Sequence, residues 1–103
     1  MANSNPPKRA QEFTFYILLE DYANPGTWKS NPTIAAGDFK ISKDGGAEAN
    51  PTTLPAVTPA SGRHVKVVLS ATEMTADQIS FAGADQTATK EWADMGISIN
   101  TTA

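Results

Sequence analysis

The chain reads as an all-β domain, an immunoglobulin-like antiparallel β-sandwich of about seven short strands with an extended N-terminal arm. Three observations predict this. The dominant hydrophobic period is two, which places alternate side chains on opposite faces of a pleated strand. Turn signals built from Gly, Pro, Asn and Asp recur between the apolar runs, and no segment carries a convincing long-helix pattern. At 103 residues there is room for one domain and no second fold. Short strands at this spacing are those of an immunoglobulin-like sandwich, with a small barrel or a jelly-roll fragment as alternatives.

Residues 1–11 are polar and contain Pro6-Pro7, so an extended, unpaired arm is expected there, with the sandwich filling residues 12–103. The clearest strand spans Glu12 to Glu20. Phe13, Phe15, Ile17 and Leu19 share one face, opposite Thr14, Tyr16, Leu18 and Glu20. Tyr16 and Leu18 make that second face unusually apolar, which predicts a cover from a partner chain or from the loop carrying Tyr22 and Trp28. Asn24-Pro25-Gly26 and Asn31-Pro32 then break the chain into a long connection with one short strand at most, around Thr33 to Ala35.

Asp38 to Ser42 alternates again and ends in Lys43-Asp44-Gly45-Gly46. Asp-Gly favours the positive φ values of a tight hairpin, so Ala47 to Ala49 is expected to return antiparallel. Pro51, Pro55 and Pro59 remove three backbone donors from Asn50 to Ser61 and consign it to edge or loop. Arg63 to Leu69 is a strand with Val65, Val67 and Leu69 inward. Thr72 to Asp77 predicts one short turn, with Thr72 as N-cap, bridging the two sheets. Gln78 to Ala82 follows, and the last strand is Glu91 to Ile99, with Met95, Ile97 and Ile99 on one face and Trp92 on the other.

Composition narrows the function. Eight Lys and Arg against eleven Asp and Glu leave a net charge of -3, with no concentrated basic face for nucleic acid. No run approaches the roughly 20 apolar residues that span a bilayer, and the start lacks a signal peptide's apolar region, so no membrane partner is expected. The absence of cysteine excludes disulfides, thiolate metal sites and thiol nucleophiles. His64 is the only histidine and stands beside Arg63 on the outward side of a strand. Asp38, Asp44 and Glu48 surround a hairpin but lack the spacing of a calcium loop. Ser42, Ser61, Ser70 and Ser80 fit no nucleophile elbow. Glu73 and Asp77 are accounted for by the charge preference of a helical N-terminus. No catalytic, cofactor-binding or metal-ligating residue is therefore predicted, and the chain is not expected to be an enzyme.

The aromatic residues point to contacts instead. Tyr22, Trp28 and Trp92 have the amphipathic, low-entropy character of interface anchors, and with Pro6, Pro7, Tyr16 and Leu18 they form the candidate interface set. Trp92 serves equally well as a filler of the sandwich core.

Two segments carry a resemblance, Ile41-Ser42-Lys43-Asp44-Gly45-Gly46-Ala47 and Leu69-Ser70-Ala71-Thr72-Glu73-Met74-Thr75-Ala76-Asp77. Within residues 38–83 they resemble a small β-sandwich module that recurs in virion proteins of tailed bacteriophages and prophages, in head decoration, neck and tail-fibre components. The resemblance implies a structural subunit without activity of its own. Its partners would be other virion proteins of capsid, neck or tail, with further copies of itself in a homo-oligomer. It would be made in the host bacterial cytoplasm and reside in the virion. Gly62-Arg63-His64 departs from the aromatic that often follows the glycine in that module, and the region up to Trp28 is unmatched. A second expectation is a carbohydrate-binding module, with Tyr22, Trp28 and Trp92 as a sugar-stacking face.

Overall fold

Two antiparallel sheets, each of three strands, pack face to face in the computed structural model, which describes residues 6–102. The strands are β1 (Phe13–Leu18), β2 (Phe39–Lys43), β3 (Ala56–Val57), β4 (His64–Leu69), β5 (Gln78–Gly83) and β6 (Met95–Asn100). One sheet has the order β1-β4-β3 and the other β2-β5-β6. The described residues are thus all-β, with six strands where about seven were expected. Thr33 to Ala35 stays outside both sheets, because Asn31 and Gly37 hold positive φ values of 47° and 94° and Pro32 lacks a donor. The returning arm of the Asp44-Gly45 hairpin shrinks to one bridge between Ile41 and Ala49, closed by two backbone hydrogen bonds of 2.8 and 2.9 Å. Asp44 and Gly45 themselves take the predicted positive φ, 49° and 77°.

Alternation decides what each strand buries. Val65, Val67 and Leu69 of β4 are fully enclosed, as are Ile79 and Phe81 of β5, while Ile17, Leu19, Ile41 and Ile99 join them from β1 and its extension, β2 and β6. Burying each such side chain contributes about 1.5–3 kcal/mol. The aromatics form a continuous column through this core. Phe39 of β2 lies between Trp92 and Phe81, stacked on both at 5.2 and 5.1 Å, and Phe15 of β1 meets Phe81 edge-on at 5.6 Å. Space for the Phe39 ring comes from Gly83, its cross-strand partner. A Cβ on Gly83 would stand 2.7 Å from ring Cδ1 and closer still to Cε1.

The crossing from β4 to β5 carries the chain between sheets as expected, but its cap is Ser70 and not Thr72. Ser70 Oγ accepts the Glu73 N–H at 3.2 Å while Glu73 Oε1 accepts the Ser70 N–H at 2.8 Å, a reciprocal capping box. Ser70-Ala71-Thr72-Glu73 has that spacing, and Thr72 competes only superficially. The second oxygen of the buried Glu73 accepts the Thr52 N–H at 2.7 Å, which fastens the proline-rich loop to the crossing.

The described part of the arm is paired rather than free. Lys8 forms a parallel bridge with Thr102, the Arg9 N–H donates to the Thr102 carbonyl at 2.9 Å, and the Ala10 N–H donates to the Met74 carbonyl at 3.0 Å. Backbone donors left by the polar composition find these carbonyls, and Arg9 adds an ion pair with Asp77. Residues 1–5 of the arm lie outside the described residues.

Replacing Gly83 with Ala should force the Phe39 ring out of the column and cost about 2–3 kcal/mol. Urea denaturation reads this directly. A loss below about 0.5 kcal/mol would mean the column can shift freely.

Candidate functional site

Past the end of β1 the chain continues extended into a hairpin. The Lys29 N–H donates to the Leu19 carbonyl at 2.7 Å, and the Asp21 N–H to the Thr27 carbonyl at 2.8 Å, so Glu20 faces Trp28. Asn24-Pro25-Gly26 makes the turn. Gly26 takes φ 94° and donates its N–H to Glu20 Oε2 at 2.8 Å, while Asp21 Oδ1 accepts from Ala23 at 3.0 Å. Short polar side chains satisfying the turn's own backbone make this hairpin a defined platform for Tyr22 and Trp28.

The outer flank of Glu20 to Tyr22 meets the segment that leads into β6. Asp21 bridges Trp92, the Tyr22 N–H donates to the Glu91 carbonyl at 3.0 Å and the Ala93 N–H to the Glu20 carbonyl at 2.9 Å. This pairing corrects the last strand, which starts at Met95 because residues 91–93 are engaged with the first sheet's extension instead of with β5. It also stitches the two sheets together at one end of their open side, where β1 and β6 are the outer strands. Between them lies a groove of about 400 Å³, walled by Leu18, Trp28, Met95 and Ile97 and rimmed by Glu20 and Asp94. Its lining is mostly apolar; of its two carboxylates, Asp94 is paired with the Lys90 ammonium at 3.0 Å and Glu20 accepts the Gly26 N–H.

Asp85 holds the loop that carries this wall. Its enclosed carboxylate accepts hydrogen bonds from the Thr87 N–H at 3.0 Å, the Thr87 hydroxyl at 2.8 Å and the Glu91 N–H at 2.8 Å. Burial by itself raises the Asp85 pKa, but these hydrogen bonds and the charge of Lys90 together outweigh it, and the net shift is downward from the ordinary 3.8.

The candidate residues divide between groove, surface and core. Trp28 is 51% exposed, Tyr22 56% and Tyr16 54%, so all three present aromatic surface. Leu18 is half-buried and lines the same groove as Trp28, so the Trp28 loop reaches one residue of the second face of β1, while Tyr16 stays open and that face is not covered as a whole. Pro6 is exposed and Pro7 half-buried, its carbonyl accepting the Thr102 N–H at 2.9 Å. Trp92 is no interface anchor. It is 0% exposed, stacked on Phe39, with its indole N–H donating to the Thr33 carbonyl at 3.3 Å. A sugar-stacking face that combined it with Tyr22 and Trp28 is thereby overturned, since a ring sealed in the core offers no platform.

Two of the three carboxylates around the Asp44-Gly45 hairpin, Asp38 and Asp44, are occupied by backbone donors. Asp38 accepts from Ala35 and Gln86 at 2.9 and 3.1 Å, and Asp44 accepts from Asp77 and Gln78 at 3.2 and 3.0 Å. Among the described residues no three His, Cys, Asp or Glu side chains converge to hold a metal ion. A wider basin of about 620 Å³ lies around Lys40, Glu48, Ala82 and Gly83, where the Lys40 ammonium is spent on Asn50 at 2.8 Å. Sequence reasoning missed Glu20, Asp94, Met95 and Ile97 as parts of one groove. The two walls are more than 60 positions apart, and the pairing of Glu20 to Tyr22 with Glu91 to Ala93 joins them.

Comparisons with protein-family models, curated proteins and solved structures return no match.

Two outcomes follow from the geometry. Trp92→Ala should cost about 3–5 kcal/mol and Trp28→Ala less than about 0.5 kcal/mol, as measured by chemical denaturation; equal losses would refute the division into core and surface. For Asp85, the folded state binds the proton less readily than the unfolded state. Its contribution is fully present above the ordinary 3.8 and is lost as pH falls through the lowered folded value. Asp85→Ala should therefore cost about 2–4 kcal/mol at neutral pH, with the gap to the parent closing at strongly acid pH. A gap that does not change with pH would assign the loss to packing.

Proposed function

We propose that the chain is a structural subunit of a tailed-bacteriophage virion, a minor capsid or decoration protein or a head-fibre or tail adaptor, that works by protein-protein contacts and not by catalysis. The carrying observation is the groove beside Trp28, a mostly apolar lining with an exposed aromatic at the open edge of both sheets. Exposed aromatics on a rigid hairpin are anchors for a partner surface. Strand edges with no charged residue, Phe13 to Leu18 and Met95 to Asn100, add backbone groups that neighbouring chains can use. The described residues fit a contact protein better than a pocket enzyme, because their buried carboxylates serve backbone turns.

We further infer that the sandwich is immunoglobulin-like. The order β1-β4-β3 corresponds to strands B, E and D of that fold and β2-β5-β6 to C, F and G, in the same sequence order. Phe15 on β1 meets Phe81 on β5 where antibody domains place their inter-sheet disulfide, and Phe39 on β2 packs against Phe81 as the strand C tryptophan does there. The parallel Lys8–Thr102 bridge gives the arm the part of a seventh strand beside β6.

A second reading keeps Trp28 as a single sugar-stacking plate, because the Glu20 and Asp94 carboxylates beside it accept hydroxyl donors. A glycan array decides it, with binding that disappears in Trp28→Ala as the supporting result. For the leading reading, quantitative mass spectrometry of gradient-purified particles should find the chain at many copies per particle. Its absence from washed particles would sink that assignment.

A further inference from the structure

We propose that the groove beside Trp28 receives the Pro6-Pro7-Lys8-Arg9 ridge of a second copy of this chain. The inference rests on the reading of the chain as a subunit that works by contacts, and it names the partner and both surfaces. Chemistry matches the two patches. The groove is lined by the Trp28 indole, Leu18 and Ile97, with the carboxylates of Glu20 and Asp94 among the same lining. Consecutive prolines favour the extended helix that docks against aromatic walls without losing much conformational entropy. Arg9 and Asp94 are already paired within the chain, with Asp77 and with Lys90, so the charge match is carried by Lys8 toward Glu20; Pro6 and Lys8 are exposed.

Ridge and groove are separate patches of one face. The ridge is fixed beside Thr102, just past the Asn100 end of β6, and the groove lies at its Met95 end. Six residues of strand separate the two by about 20 Å on the same open side. A patch and its complement on one open side can meet reciprocally about a two-fold axis, the ridge of each copy in the groove of the other, or pass from copy to copy in a ring or a filament. The ridge does not need to be ordered on contact, because the Lys8–Thr102 bridge and the Ala10–Met74 hydrogen bond already hold it.

Sedimentation velocity of the full chain across a concentration series, at low salt and again near 1 M salt, tests this. The expected result is a mass that climbs to the dimer or beyond at low salt and falls toward monomer when the Debye length shrinks to about 3 Å. Trp28→Ala and Lys8→Glu should each weaken association at least about tenfold. Both residues are exposed, and unchanged near-ultraviolet circular dichroism checks that the fold is intact. Adding Glu20→Lys to Lys8→Glu should restore much of the loss. A monomer at all concentrations overturns the proposal, as does association unmoved by either single substitution, or a charge exchange no better than Lys8→Glu alone. A monomer still found in purified particles would remove this contact and leave the virion reading standing.

Discussion

The ring of Phe39 occupies the space that any side chain on Gly83 would need, and much of the molecule is arranged around that exchange. With the glycine in place, Phe39 lies flat between Phe81 and Trp92, so one column of aromatic carbon links β2, β5 and the segment leading into β6. Phe15 extends the column across to the other sheet. A chain of this size buries a modest fraction of its surface and has no disulfide to constrain its unfolded state. Large rings packed at close-contact geometry supply much of what a staple would otherwise contribute. The position of Trp92 then sets the position of its neighbours, and through them the outer wall of the groove.

Buried carboxylates are the second organising device. Asp38, Glu73 and Asp85 are enclosed, yet each accepts hydrogen bonds from main-chain N–H groups of segments that belong to no strand. In a fold with long connections and seven prolines, many amide donors have no ladder to join. Ionised oxygens placed among them answer that need with charge-assisted bonds, stronger than neutral ones. Acidic residues that look like ligands or catalysts in sequence are here the anchors of loops.

The strands were legible because their faces differ. Phe39 and Ile41, Val65, Val67 and Leu69, and Ile79 and Phe81 bury the expected faces; on the first strand Ile17 and Leu19 are buried and Phe13 and Phe15 partly so. The Asp44-Gly45 turn was legible because few residue pairs tolerate two positive φ values in succession. Trp92 was ambiguous for a physical reason, since a tryptophan serves a core and a contact equally well and only the neighbouring Phe39 ring decides. The Ser70 cap was hidden behind Thr72, although Ser70-Ala71-Thr72-Glu73 spells the reciprocal spacing. The groove was beyond reach, because its walls meet through main-chain hydrogen bonds that carry no side-chain signature.

The parallel bridge between Lys8 and Thr102 sets the beginning and the end of the folded unit side by side. Strand neighbours stand about 4.8 Å apart, so a surface loop of another protein would scarcely have to widen to take the whole sandwich as an insert. The same closeness suits the unit to circular permutation, with a short link across that pole and new ends opened at an exposed turn such as Asp44-Gly45.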